Sequence, residues 1–281
     1  MSKKRINLII LIIVMAFVLT GCSQSGELIK LETTFKDIME DGFFSAIITY
    51  PLAQAINWLE PRTGIFLAIT LVTIAINAIV LTFTFKSSVA MQRMQEIQPE
   101  IAKIQAKYEG RTDNASQQRM AMEMQQIYSK YNINPITSLL VTFIQFPLLI
   151  GMYNAVRRSY AVANGEFLNV KLSLTPRDAI AEKAWVCVVI FVLMIVCQFI
   201  SIKTPQWLAT YHGKKEADSH HKTYQKPPQQ NAMMTYGMLF VIAFAMLSCP
   251  TALSLYYCIY SVINVVKTLY IDLMTHKKKG A

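Results

Sequence analysis

The chain has 281 residues, 53% of them hydrophobic and only 16% charged, and a water-soluble domain of that make-up would expose too apolar a surface to stay dissolved. A mean hydropathy of +0.34, with 27 Lys and Arg against 17 Asp and Glu for a net charge of +10, fits long apolar spans joined by basic loops. Most of the basic residues flank apolar runs, so membrane topology accounts for them before nucleic-acid binding does.

At the N-terminus, Lys3, Lys4 and Arg5 precede an apolar run from Leu8 to Leu19 and then small residues before Cys22, the three parts of a secretory signal. The run is too short to span a bilayer comfortably. Leu19-Thr20-Gly21-Cys22 resembles the bacterial lipoprotein lipobox, which implies a signal peptide at 1–21, cleavage before Cys22 and a diacylglyceryl thioether, with acyl chains such as palmitate, on its sulfur. An uncleaved first anchor with an incidental cysteine is the alternative. Residues 22–63 then form an outer segment, in which Phe43 to Trp58 is apolar, broken by Pro51 and too short to span. It is expected to lie along the outer interface, with Tyr50 and Trp58 at headgroup level.

Crossing the hydrocarbon core takes about 20 apolar residues at about 1.5 Å each. Uncharged runs at 64–85, 135–156 and 184–202 meet that length. A fourth uncharged run, Asn231 to Val266, would be about 54 Å long as one helix and must fold back. Pro250, in Ser248-Cys249-Pro250-Thr251, removes a donor and disfavours helix in the residue before it, so 231–248 and 251–267 are read as two short spans joined by a turn. The expected fold is therefore an all-α integral membrane protein with five transmembrane helices after the signal. Basic residues orient it: the segments 86–134, 203–230 and the tail from Lys267 carry sixteen Lys and Arg and face the cytoplasm, against eight in the mature outer segments, which include the loop 157–183. Arg157 and Arg158, at the outer end of the second span, go against the trend.

Between the first two spans, Met91, Met94, Ile97, Ile101, Ile104 and Tyr108 recur every three or four residues over Ser87 to Tyr108, and Met120, Met124, Ile127 and Tyr131 repeat the spacing after the turn-rich Gly110 to Asn114. The pattern predicts a cytoplasmic hairpin of two amphipathic helices. The stretch Tyr211 to Gln230, rich in Lys, His, Pro and Gln, reads as a mobile loop, and 268–281 as a basic tail. Cys187, Cys197, Cys249 and Cys258 lie in apolar runs with no C-x-x-C, as core thiols do, so neither a disulfide framework nor a metal knuckle is expected.

Polar side chains inside a span are costly and face the protein interior or a wet cavity. Thr70, Thr73, Asn77 and Thr84 share one face of the first span; Ser254, Tyr257, Ser261, Asn264 and Thr268 share one of the last; Gln145 and Asn154 lie in the second, Gln198 and Ser201 in the third. Two readings fit: hydrogen-bonding glue between helices, worth about 0.6 kcal/mol per bond, with hydroxyls turned back to their own backbone, or a water-containing groove along which a polypeptide passes.

Several segments resemble the YidC family of membrane protein insertases, of the Gram-positive lipoprotein type. They are Met91 to Glu100 with the helix to Tyr108, Asn132-Ile133-Asn134-Pro135 leading to Gln145-Phe146-Pro147 and Met152-Tyr153-Asn154-Ala155, and Cys249-Pro250-Thr251-Ala252-Leu253-Ser254-Leu255-Tyr256-Tyr257, where a tryptophan is more usual at Tyr257. The resemblance covers about Tyr50 to His276. It implies an insertase or chaperone, alone or with the Sec translocon, whose groove opens to cytoplasm and lipid and is closed outside. On that reading Thr70, Thr73, Asn77, Gln145, Gln198, Tyr257, Ser261 and Asn264 line the groove, and the partners are nascent membrane proteins, membrane lipids and the ribosome, but not DNA.

The family commonly has an arginine nine residues before the lysine that ends the first span, where this chain has Asn77. Asn77 hydrogen-bonds but carries no charge, so clients with few acidic residues in the translocated segment, or hydrophobic sliding, are expected. Spans of about 17 residues beside Pro250 would thin the bilayer locally. Met91, Met94, Met120, Met122 and Met124 offer a flexible apolar surface to clients, or else pack the two hairpin helices together. No catalytic group, metal site or cofactor is expected beyond the lipid on Cys22: His212, His220, His221 and His276 fall in loop or tail, and the uncharged spans hold no general base. A small transporter or channel is the competing class, though such proteins usually show intramembrane charges or inverted repeats.

Overall fold

The computed structural model describes residues 26–219 and 230–277. The signal at 1–21, Cys22, His220, His221, Lys278 and Lys279 lie outside the described residues. Two compact units are formed, one from residues 26–76, 143–193 and 245–259, the other from 77–142, 194–219, 230–244 and 260–277.

In chain order come α1 (Phe35–Glu40), a π-helix (Ser45–Thr49), α2 (Tyr50–Thr63), α3 (Ile65–Glu96), α4 (Gln98–Lys107), α5 (Asn114–Lys130), α6 (Pro135–Arg158) and α7 (Tyr160–Asn164). The hairpin strands β1 (Glu166–Phe167) and β2 (Val170–Lys171) follow, then α8 (Pro176–Ala181), α9 (Trp185–Ser219), α10 (Gln230–Met246) and α11 (Thr251–Lys277). The β-hairpin and a single parallel bridge between Ile29 and Ser159 are the described departures from an all-helical chain. Among the described residues, three helices are long and apolar enough to cross a membrane: Ile65–Glu96, Trp185–Lys215 and Thr251–Thr275.

In the first unit, Asn57 of α2 is 4% exposed and ties together three pieces of chain. Its amide donates to the Ile29 carbonyl at 2.6 Å, and its oxygen accepts from the Ser159 hydroxyl at 2.7 Å and the Ala161 N–H at 3.0 Å. Around this node Ile29, Ile56, Ile69, Met152, Val156, Leu172, Leu253 and Tyr256 are fully buried. The start of α11 is held by the loop after β2: the Thr251 N–H and hydroxyl donate to Leu174 O at 2.8 and 2.7 Å, and the Ala252 N–H to Leu172 O at 3.0 Å.

In the second unit, α4 and α5 pack through Ile97, Ile101 and Ile133, joined by Met94, Met124, Ile127 and Tyr128. Polar ties brace the pair: Glu123 accepts from Tyr108 at 2.8 Å and from Lys107 at 2.6 Å, and Glu100 accepts from the Tyr131 hydroxyl. Asp113 caps α5 by accepting from the Ser116 N–H at 2.8 Å, and the turn before it uses Gly110 at φ +78, a conformation open to glycine.

Four expectations change. The apolar run at 64–85 and the lead of the cytoplasmic segment are one helix, α3, and the break falls at Ile97, because Pro99 in the first turn of α4 has no N–H to continue the ladder. Residues 211–219, read as part of a mobile loop, are helix: α9 passes through Pro205 to Ser219. Pro51 does not break the outer segment but sits in the first turn of α2, where its missing donor costs nothing. And the helices flanking Pro250 are unequal, with 17 residues in α10 and 27 in α11, so thinning by two equally short spans does not apply to α11.

Candidate functional site

The polar positions singled out by spacing fall into both units and are taken unit by unit. In the first, the hydroxyls of Thr70 and Thr73 return to their own helix, donating to Phe66 O at 2.7 Å and Ile69 O at 2.6 Å. Thr73 is fully buried. Tyr257 is buried against Tyr256, ring edge to face, with centroids 5.3 Å apart. Gln145 is half-buried and its Nε2 has no partner. Arg158 and Arg157, the apparent exceptions to the charge trend, have structural work: Arg158, 4% exposed, pairs with the Asp41 carboxylate and donates to Glu27 O at 3.1 Å, while Arg157 donates to the Tyr153 hydroxyl at 2.9 Å.

In the second unit, two of the striped residues meet across helices. Ser261 of α11 donates to Gln198 of α9 at 2.5 Å, and Asn264 donates to Ser201 at 2.9 Å. These are interhelical bonds of the glue type, about 0.6 kcal/mol each. Asn77 is buried, at 9% exposure, and Thr84 returns its hydroxyl to Val80 O at 2.8 Å. Of the hairpin methionines, Met94 and Met124 pack into the core between α4 and α5, whereas Met122 is 56% exposed and lines an open depression with Gln125, Gln126, Ser129 and Lys130. Met91 and Met120 are half-buried.

One polar node was not expected. Asp272 of α11, 7% exposed, accepts from Gln92 Nε2 of α3 at 2.6 Å and lies 3.0 Å through each oxygen from His212 Nε2 of α9. Since a carboxylate only accepts, the Nε2 of His212 carries a hydrogen here. His212 therefore anchors the part of α9 that composition alone reads as loop. The signal for Gln92 was available in the spacing: it follows Thr84 by eight residues, on the same helical face. Nothing in the sequence couples His212 to Asp272, sixty residues away.

A chain built almost wholly of helices, several of them long enough to cross a bilayer and joined by buried polar bonds, is an α-helical membrane protein. The sequence profile of the 60Kd inner membrane protein family matches residues 58–279, and the chain belongs to that family. It is 28% identical to Membrane protein insertase YidC 1 of Listeria monocytogenes, over 96% of this chain and 84% of that one. It is 28% identical to Membrane protein insertase MisCA of Bacillus subtilis, over 96% and 92%, and 26% identical to Membrane protein insertase YidC of Oceanobacillus iheyensis, over 99% and 100%. The resemblance carried by the motifs is thus a family relationship along nearly the whole chain.

Proposed function

We propose that this chain inserts hydrophobic segments of nascent proteins into the cell membrane, guiding them along polar faces of its own helices. The observation that carries the reading is the polar face of α3, an otherwise apolar helix, with Asn77 and Thr84 buried along it; the insertase names of the relatives agree with it. Such a face lets the polar flank of a client stay solvated or hydrogen-bonded while its apolar part partitions into lipid.

On this reading α3, α6, α9, α10 and α11 are the five spans, the hairpin α4–α5 and the C-terminus are cytoplasmic, and 1–21 is a lipoprotein signal that leaves a diacylglyceryl lipid on Cys22 outside. Thr70, Thr73, Gln145 and Tyr257 in the first unit, and Asn77, Gln198, Ser261 and Asn264 in the second, are the polar positions offered to a client, and Met122 is the methionine best placed to meet one. Ribosome and Sec translocon are partners the same reading provides for. Because Asn77 brings no charge, clients with few acidic residues in the translocated segment are preferred.

The test is protease protection of a small one-span substrate translated with liposomes that contain only this protein. Protection above empty liposomes is expected; none, with a relative bearing the arginine active in parallel, overturns autonomous insertion.

A further inference from the structure

The polar face of α3 does not end where its apolar run ends. Because the helix is unbroken to Glu96, Asn77, Thr84, Ser88, Gln92 and Gln95 follow at steps of seven, four, four and three residues and share one face. Three oxygens on it are shut away from water without a hydrogen-bond partner: Ser88 Oγ, Gln92 Oε1 and Gln95 Oε1. Ser88 and Gln92 are 8% and 7% exposed. The orientation of the Gln92 amide is fixed, since its Nε2 donates to Asp272, so the unpartnered atom is an acceptor. Lys86 and Arg93 are exposed and lie on the opposite side of the helix. The face therefore presents acceptors beside a buried carboxylate.

Acceptors in a row next to a carboxylate match a group that only donates. Guanidinium has five N–H donors and ammonium three, and neither accepts. Membrane segments keep their Lys and Arg on the cytoplasmic side, so a hydrophobic client ordinarily brings such a flank.

We propose that the Ser88–Gln92–Gln95 face, backed by Asp272, docks the basic flank of a client's hydrophobic segment. The inference rests on the insertase reading and adds to it a place for the end of the client that does not cross. Gln95, half-buried, is the point of entry. Gln92 and His212 fix the Asp272 carboxylate by their bonds to it, so that they act as positioning residues.

The test uses the full chain in nanodiscs of zwitterionic lipid, which removes the attraction of anionic headgroups. The probes are two synthetic leucine-rich helical peptides that differ only in carrying two arginines or two citrullines at one end. The arginine peptide is expected to bind at least about tenfold more tightly, as charge-assisted hydrogen bonds do over neutral ones. Ser88→Ala with Gln95→Leu is expected to reduce that preference to about threefold or less, with the melting temperature unchanged. Equal binding of the two peptides to the unaltered chain overturns the proposal, needs no variant, and leaves the insertase reading standing. A preference that survives both substitutions in a folded variant also overturns it. If neither peptide binds, the insertase reading falls and the proposal with it.

Discussion

Asn57 makes three bonds to two other segments at once, and no side chain of similar size without both a donor and an acceptor can replace it. Asn57→Ala leaves the Ala161 N–H and the Ser159 hydroxyl without their acceptor in a buried place, at about 1–3 kcal/mol each, while the Ile29 carbonyl keeps the Tyr160 N–H. A lower thermal midpoint in detergent is expected, together with proteolysis ahead of α2 while the long helices stay intact; an unchanged cleavage pattern counts against the node. Asp41→Ala is expected to cost about 3–5 kcal/mol, because it strands the buried Arg158 guanidinium, with the lower end favoured since Asp41 is itself partly exposed; thermal unfolding against Asp41→Glu checks this. Both residues illustrate what sequence can and cannot yield. That Arg158 is unusual was legible, since a charge at the outer end of a span violates the orientation trend. Its partner was not, because Asp41 lies 117 residues away in a segment with no periodic signal. Thr70, Thr73, Asn77 and Thr84 were legible as a stripe by spacing alone, and the stripe was cut short at Lys86 only because the helix was assumed to end with its apolar run.

At the scale of elements, that assumption is the instructive one. Hydropathy finds where apolar residues stop, and a helix stops only where its backbone bonding does; in α3 these two points are eleven residues apart, Phe85 and Glu96. Pro99 marks the true boundary. Likewise α9 outruns its apolar stretch because His212 finds a tertiary partner, which composition does not reveal. In the hairpin the three- and four-residue spacing found the residues that pack, since that core is local, although its first helix starts at Gln98 and not at Ser87. Ile101→Ala is expected to cost about 2–4 kcal/mol and to speed hydrogen exchange across 97–133, while Met122→Ala, on the exposed face, leaves exchange unaltered. The hairpin also has an acid limit. The Ser116 N–H holds the Asp113 carboxyl below its ordinary 3.8, and the Lys107 ammonium, with the Tyr108 hydroxyl, holds Glu123 below its ordinary 4.5. A carboxylate with a depressed pKa stabilises the folded form above its ordinary value and loses that contribution as pH falls through the lowered one. Lower protection factors in α4 and α5, with the intrinsic pH dependence of amide exchange divided out, are thus expected below the ordinary carboxylate range, with no change between pH 6 and 8; protection constant down to pH 3 contradicts it.

For the molecule as a whole, Asn77 decides how the polar face treats charge. Asn77→Arg places a cation at a buried position in an apolar helix, at about 2.5–3.5 kcal/mol on insertion scales. It is expected to improve protease protection of substrates with acidic translocated segments and to leave neutral ones unchanged; equal handling of acidic substrates before and after the change defeats the client preference. The parallel pairing of Ile29 with Ser159 has a different consequence, in time rather than energy. The bridge joins residues 130 apart, and at synthesis rates of about 5–20 residues per second the earlier strand waits roughly 7–26 s for its partner to be made. Through that interval α2 lacks two of the three bonds that fix Asn57, those to Ser159 and Ala161, so the node stays open until α6 is complete. The segment around Ile29 therefore locks well after it is made, though before the Gln92–Asp272 bond, which waits for the last helix.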